Sequence, residues 1–139
     1  MNYLLDTCVL SEFARRRPEA RVVQWLDSVD ETQCYISVIT VGEIQRGIER
    51  LPESHRKTKL LLWLGNRLLS RFQGRFVEIE APTMVLWGSL VARLEAQGRP
   101  MGVMDSLICA SALQSNLVLA TRNVADFTPA GVQVINPWE

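Results

Sequence analysis

The sequence has no long apolar run and few aromatic residues, which make up 7% of its 139 positions. A membrane-spanning helix needs about 18 consecutive apolar residues, so we expect no such segment. Asp6 also interrupts the first apolar stretch before it could form the core of a signal peptide, and we therefore expect a cytoplasmic protein with no membrane partner. The remaining composition, 47% hydrophobic and 22% charged, excludes a disordered chain and predicts a single domain over residues 1–139.

Histidine and cysteine, two common ligands of zinc, are scarce. His55 is the one histidine, and the three cysteines Cys8, Cys34 and Cys109 are too widely spaced for a zinc motif. An odd number of separated cysteines in apolar surroundings favours reduced core thiols over disulfides. A zinc centre and a disulfide scaffold are therefore both disfavoured.

Net charge is also lacking, because fifteen lysine and arginine residues balance fifteen aspartate and glutamate residues. A neutral molecule has no general attraction for nucleic acids or anionic membranes. The distribution is uneven, since the segment Arg46–Arg75, called the basic stretch below, holds eight basic residues and two acidic ones. We expect it to make one side of the molecule positive.

Short apolar runs alternate with amphipathic helical segments along the whole chain. We expect strands at Tyr3–Asp6, Cys34–Ser37, Phe76–Ile79, Leu117–Ala120 and Val132–Ile135. We expect helices over Thr7–Arg15, from Pro18 to about Val29, and over Val38–Leu51, Pro52–Phe72, Pro82–Gly98 and Val103–Ser115, with Gly74 and Gly98 as stops. Strands separated by helices predict an α/β fold, a three-layer α/β/α sandwich around a mainly parallel sheet.

Three acidic residues are expected near one end of this sheet. Asp6 ends the first strand, and ligands of parallel sheets collect at the carboxyl ends of the strands. Asp105 begins a helix on an apolar face, where a carboxylate needs a partner, and Glu43 lies on the shoulder of a buried helix face. Each has an ordinary alternative: a helix cap for Asp6, a first-turn position stabilised by the helix dipole for Asp105, and an ion pair with Arg46 or Arg50 for Glu43.

A fourth group of oxygen ligands, Thr121, Asn123 and Asp126, follows the strand that ends at Ala120. Its alternative is a turn in which Thr121 and Asn123 satisfy backbone groups. Several carboxylates at one place repel unless a hard divalent cation neutralises them, and oxygen ligands without histidine or cysteine indicate Mg²⁺ or Mn²⁺. The pattern therefore predicts metal-assisted hydrolysis of phosphodiester bonds.

In order and spacing the chain resembles the PIN-domain family, specifically the VapC-type toxins of bacterial toxin–antitoxin pairs, with the FitB-like branch most similar. The resemblance rests on Leu4–Thr7, Ser37–Ile44, Met104–Ala110, Ala120–Phe127 and Asn136–Trp138. It implies a PIN-like fold and a metal-dependent endoribonuclease, with Asp6, Glu43 and Asp105 as catalytic, metal-binding residues. The segment Thr121–Asn123 would carry the fourth position.

The fourth position departs from the family pattern. Many relatives have aspartate where Asn123 stands, and a neutral amide holds a cation less well than a carboxylate does, so Asp126 becomes the candidate fourth metal ligand. The resemblance leaves Thr7, Thr121 and Asn123 in supporting roles. The implied cofactor is Mg²⁺, with Mn²⁺ as the alternative.

The resemblance also implies partners. These are an RNA substrate, a cognate antitoxin that inhibits the toxin, promoter DNA contacted only through the antitoxin, and a second copy of the chain in a homodimer that joins the antitoxin in a hetero-oligomer. Within the basic stretch, Arg46 and Arg50 become candidate contacts to RNA phosphates. A solvated helix face or the rim of the antitoxin groove explains the same charges equally well.

The main rival is a catalytically inert PIN-like binding module that acts only through its antitoxin/DNA complex, its carboxylates pairing with arginines of a partner. Phosphoryl-transfer proteins of receiver or dehalogenase type fit poorly. Lys57 and Lys59 are the only lysines and neither follows a strand, and Cys8 stands where a dehalogenase needs a second aspartate. His55 has no second histidine with which to form a ligand pair, so we expect no chemistry from it.

Overall fold

The computed structural model describes all residues, 1–139, and its five short strands form one parallel sheet. The strands are β1 (Tyr3–Leu5), β2 (Cys34–Ser37), β3 (Phe76–Val77), β4 (Val118–Ala120) and β5 (Val134–Ile135). Their spatial order is β3-β2-β1-β4-β5, so β1 is central, flanked by β2 and β4. The predicted parallel α/β sheet is confirmed.

Helices follow the strands in the predicted alternation. They are α1 (Thr7–Ala14), α2 (Ala20–Ser28), α3 (Val38–Glu49), α4 (His55–Leu62), α5 (Leu69–Arg71), α6 (Ala81–Ala96), α7 (Val103–Gln114) and α8 (Val124–Phe127). A π-helical stretch, Trp63–Leu68, joins α4 to α5. Gly74 and Gly98 have positive φ of 84° and 69°, the backbone conformation in which glycine commonly ends a helix. No helix combines the length and the apolar character needed to cross a membrane.

Two apolar cores lie on opposite faces of the sheet, because successive side chains of a strand point to opposite sides. Leu5 packs in the first core with residues of α1 to α3 and the π-helical stretch, such as Val9 and Ile44. Leu4 packs in the second with residues of α6 and α7, such as Leu94 and Ile108. The sheet is therefore the middle layer of the predicted sandwich.

Several predicted boundaries are wrong by a few residues. Helix α2 begins at Ala20, so Pro18 lies outside it, and α4 begins at His55 because the Ser54 hydroxyl accepts the Lys57 N–H and caps the helix there. Strand β3 stops at Val77, since Val77 pairs with Ser37 and the next residue of that neighbour already belongs to α3.

The last two strands are shorter than predicted at their starts. Leu117 donates its N–H to the carbonyl of Ala112 in α7, so its backbone closes the turn that follows the helix, and β4 starts one residue later. Strand β5 is limited to Val134–Ile135 instead of beginning at Val132. Neither change moves the carboxyl ends of the strands, where the candidate site residues lie.

Candidate active site

Asp6 and Thr121 meet at the carboxyl ends of the paired strands β1 and β4. Asp6 is 6% exposed and Thr121 is fully buried. The N–H of Thr7 donates to Asp6 Oδ1 at 2.8 Å, and the Thr121 hydroxyl donates to Asp6 Oδ2 at 2.7 Å. Asp6 is thus a helix cap, as its ordinary alternative predicted, and its second oxygen is held by a separate strand end.

The segment after β4 adopts the predicted turn. The Thr121 hydroxyl accepts the N–H of Asn123 at 3.1 Å while donating to Asp6. Asn123 occupies the N-cap position of α8 without a side-chain capping bond, and Asp126 is exposed in the first turn of that helix. The backbone-satisfying alternative is therefore correct for Thr121, whose single hydroxyl also reaches Asp6.

Glu43 projects from α3 toward the same end of the sheet. Its Oε1 accepts the hydroxyl of Thr7 at 3.0 Å, so Thr7 bonds to Asp6 through its backbone and to Glu43 through its side chain. Glu43 forms no ion pair, and the predicted pairing with Arg46 or Arg50 is wrong. Burial raises the pKa of Glu43, and the charges of Asp6 and Asp105 raise it further, against lowering by the Thr7 bond and by Arg46.

Asp105 lies in the first turn of α7 and is half-buried. Its pKa is raised by burial first and then by the charges of Asp6 and Asp126. Asp105 forms no ion pair with a basic side chain of the protein.

The charges of Asp6 and Asp105 act on Glu43, and those of Asp6 and Asp126 act on Asp105, so the predicted carboxylates influence one another in a chain of neighbours. No three acidic, histidine or cysteine side chains, however, lie in positions ready to hold a metal ion. The donor set still fits a hard divalent cation, because it consists of oxygens whose mutual repulsion a cation would relieve. The fold gathers the ligands without arranging them in a closed coordination shell.

Cys8 forms part of this site, which its classification as a core thiol missed. Its Sγ lies 3.6 Å from Thr121 Oγ1 and 3.8 Å from Asp6 Oδ2, and it accepts the N–H of Arg122 at 3.4 Å. Burial raises the pKa of the thiol, which keeps it protonated at neutral pH. Its position two residues after Asp6 was the one sequence feature that could have placed Cys8 in the site.

The basic stretch does not form one uniform face. Arg71 and Arg75 pair with Glu31, and Lys57 pairs with Glu53 at 2.8 Å. Arg46 on α3 and Arg50 immediately after that helix are exposed and form no ion pair. Neutralisation of part of the stretch means that charge counted along the chain overstates the positive surface.

Comparison with known proteins gives consistent relatives over almost the full length of the chain. It is 36% identical to Toxin FitB of Neisseria gonorrhoeae, covering 97% of each chain, and 32% identical to VapC ribonuclease Y4jK of Sinorhizobium fredii, covering 98% of this chain and 97% of the relative. A solved structure of FitAB bound to an IR36 DNA fragment aligns with a TM-score of 0.91 and 34% identity, covering 99% of this chain and 96% of the other.

The model of the PIN domain matches residues 3–127. This span includes every carboxylate of the candidate site, and ribonucleases of the family generally use a divalent metal. The resemblance seen in the sequence is thereby confirmed. The chain belongs to the PIN-domain family.

Proposed function

We propose that this chain is the toxin of a toxin–antitoxin pair and acts as a metal-dependent endoribonuclease that hydrolyses RNA phosphodiester bonds. The observation that carries the proposal is the carboxylate of Asp6 at the carboxyl end of the sheet, bonded to Thr121 and linked through Thr7 to Glu43. The charge of Asp6 also raises the pKa of Glu43 and of Asp105, after the larger effect of burial. The relatives support the proposal, because the chain shares sequence identity with a toxin and with a VapC ribonuclease over nearly its whole length.

Asp6, Glu43 and Asp105 would hold the metal, and Asp126 is the proposed fourth ligand. The proposed ion is Mg²⁺, with Mn²⁺ as the alternative, because the donors are all oxygens. When bound, such an ion supplies an activated water and stabilises the attacking and leaving oxygens of the displaced phosphodiester.

The neighbouring polar groups position these carboxylates. The Thr121 hydroxyl and the Thr7 N–H hold the two oxygens of Asp6, which fixes its carboxylate plane, and the Thr7 hydroxyl orients Glu43. Asn123, whose N–H donates to the Thr121 hydroxyl, has the proposed supporting role. No side-chain nucleophile is needed, since the attacking group is water.

The proposed partners are an RNA substrate, a cognate antitoxin that inhibits the chain, promoter DNA contacted through that antitoxin, and a second copy of the chain. An aligned FitAB structure holds a DNA fragment, which supports an assembly of this type. Exposed apolar residues on α6 and α7, including Val85, Val103 and Met104, support a homodimer surface. Free thiols at all three cysteines suit the reducing cytoplasm, where we place the single-domain protein.

A second candidate is the inert PIN-like module that acts through its antitoxin/DNA complex. One observation favours it: no three candidate ligands are positioned to hold an ion. In that case the carboxylates would pair with arginines of a partner. The protein would have no metal-dependent activity, so replacing a carboxylate by a neutral side chain would remove none.

A cleavage assay separates the two candidates. Purified protein is incubated with total tRNA in Mg²⁺, in Mn²⁺ and in EDTA, beside Asp6→Asn and a control variant, Glu95→Gln, which removes an exposed carboxylate on α6 that forms no ion pair. Cleavage that needs metal, survives Glu95→Gln and is lost in Asp6→Asn supports the nuclease. Cleavage that persists in Asp6→Asn, or no cleavage by folded protein, contradicts it and favours the inert module.

A further inference from the structure

A strongly basic groove lies between the end of α1 and the start of α4. It has a volume of about 920 Å³ and is lined by Ala14, Arg15, Arg16, Arg17, His55, Arg56, Lys59 and Leu60. No acidic residue lines it. Two segments about forty positions apart in sequence thus place five permanent cations, all exposed to solvent, around one depression.

Most of these cations have no anionic partner in the protein. Arg15 pairs with Glu12 at 2.8 Å, but Arg16, Arg17, Arg56 and Lys59 form no ion pair. Arg71 and Arg75, by contrast, are both paired with Glu31. The groove therefore holds four exposed cations without an anionic partner around one depression.

A smaller cavity of about 250 Å³ connects this groove to the candidate active site. Thr7 and Glu43 line it together with Arg15 and Arg56. Thr7 and Glu43 are the hydrogen-bonded pair of the acidic site, and Arg15 and Arg56 are members of the basic groove. The acidic site and the groove are therefore neighbouring parts of one continuous surface.

We infer that this groove binds the phosphate backbone of the RNA substrate beside the scissile bond; the inference rests on the proposed nuclease function. Carboxylates repel a polyanion, so a nuclease site of this kind needs cations nearby to hold its substrate. Arginine suits the task because its planar guanidinium binds phosphate oxygens with paired hydrogen bonds. Only Ala14 and Leu60 of the lining are apolar, which favours a charged backbone over the apolar face of a protein segment.

The test measures binding of a fluorescein-labelled single-stranded RNA by fluorescence anisotropy in EDTA, where metal-dependent cleavage is off, over a series of salt concentrations. The variants are Arg56→Gln and Lys59→Gln. The control is Arg99→Gln, which removes one exposed arginine that lies between α6 and α7, away from α1 and α4, and that forms no ion pair.

Each lost phosphate contact is expected to reduce the slope of log K against log salt by about 0.7, and to weaken binding several-fold for any RNA sequence. Arg99→Gln is expected to keep both values of the wild type. With Mg²⁺ present, the groove variants are expected to raise KM and leave kcat unchanged, because they touch no reacting atom. Unchanged melting temperatures exclude unfolding as the cause.

Groove variants that bind RNA with the affinity and salt slope of an RNA-cleaving wild type overturn the inference and leave the proposed function intact. If the wild type binds RNA through the groove but cleaves none, the groove stands and the nuclease function falls. A polyglutamate peptide of equal charge tests the alternative occupant. If it binds the wild type more tightly than RNA does, and if both groove variants no longer bind the peptide but still bind RNA, the groove binds an acidic protein segment and the inference is wrong.

Discussion

The acidic site and the basic groove adjoin one another, yet the fold holds their charges in different ways. Asp6 is buried at a strand end with each oxygen hydrogen-bonded to a different segment. Arg16 and Arg17, in the groove, are exposed and make no side-chain hydrogen bond or ion pair. Buried, coupled groups act as a unit, whereas exposed, independent ones contribute separately. The comparison therefore predicts all-or-none effects at the site and graded effects in the groove.

The largest expected effect is at the carboxylates. Asp6→Asn and Asp105→Asn are each expected to reduce kcat/KM for RNA cleavage at least about 100-fold, since each removes a proposed metal ligand. The double variant is expected to be no worse than either single one, because the two residues serve the same ion. Single-turnover cleavage rates of the three variants test this. Losses that multiply in the double variant would show that the carboxylates act independently.

The next effect concerns the group that holds Asp6. Thr121→Val keeps the side-chain volume but removes the hydroxyl that donates to Asp6 Oδ2 and accepts from Asn123. We expect cleavage to fall about 10- to 100-fold, with a loss of about 1–3 kcal/mol in the free energy of unfolding from the unsatisfied buried carboxylate. Cleavage kinetics and urea unfolding measure the two. A variant with wild-type kcat would remove Thr121 from the positioning of Asp6.

The raised pKa of Asp105 predicts that Asp105→Asn stabilises the metal-free protein, although the same substitution lowers its activity. A carboxyl group whose pKa is raised by folding binds its proton more tightly in the folded chain, so its stabilising contribution is present below the unfolded pKa and is lost as pH rises through the folded one. The metal-free wild type therefore carries a repulsion at pH 7 that Asp105→Asn relieves.

We expect Asp105→Asn to raise the free energy of unfolding at pH 7 in EDTA by less than about 1 kcal/mol, because solvent screens the repulsion at this partly exposed group, although the variant is inactive. The gain should shrink as pH falls through the raised pKa of Asp105 in the folded chain, and it should be gone below the ordinary pKa of aspartate, where both states of the wild type are protonated. Thermal melts of both proteins between pH 3 and pH 8, about the range in which carboxyl groups titrate, give the comparison. A destabilised variant at pH 7 would mean that Asp105 has a stabilising partner.

The smallest expected effects belong to single residues of the groove. Arg56→Gln and Lys59→Gln should each raise KM a few-fold, and the double variant should show the product of the two changes, since each phosphate contact releases its own counterion. Steady-state kinetics at several salt concentrations measure this. A double variant that behaves like either single one would indicate a cooperative site of the kind expected for the carboxylates.

Sequence pattern predicted the sheet well because its strands are short buried runs between amphipathic helices. Leu4 and Leu119, for example, are fully buried as the apolar pattern implies. Asp6 was identifiable for the same reason, as a charge at the end of such a run. The extent of β3 could not be predicted, since it depends on where its neighbour becomes helix, and the π-helical stretch Trp63–Leu68 has no distinctive sequence pattern.

Contacts between residues that are distant in sequence were the part of the site that the sequence could not predict. The hydrogen bond from Thr7 to Glu43 joins positions 36 apart in the sequence, and neither segment alone predicts that the two side chains are in contact. Counting charges along the chain misjudged the positive surface for a similar reason. Glu31 neutralises Arg71 from forty positions away. Arg15, Arg16 and Arg17, which lie outside the basic stretch, line the same groove as Arg56. Pairing across the fold, which one sequence does not reveal, decides where unneutralised charge remains.

Metal binding tests the central claim most directly, because it depends on neither the RNA target nor the purity of an enzyme assay. Isothermal titration calorimetry of Mn²⁺ into wild type, Asp6→Asn and Glu95→Gln is the measurement. We predict saturable binding by wild type and Glu95→Gln, weakened at least about tenfold in Asp6→Asn, in spite of the open arrangement of the ligands. Binding of equal strength in Asp6→Asn, or no saturable binding by the folded wild type, would contradict the account.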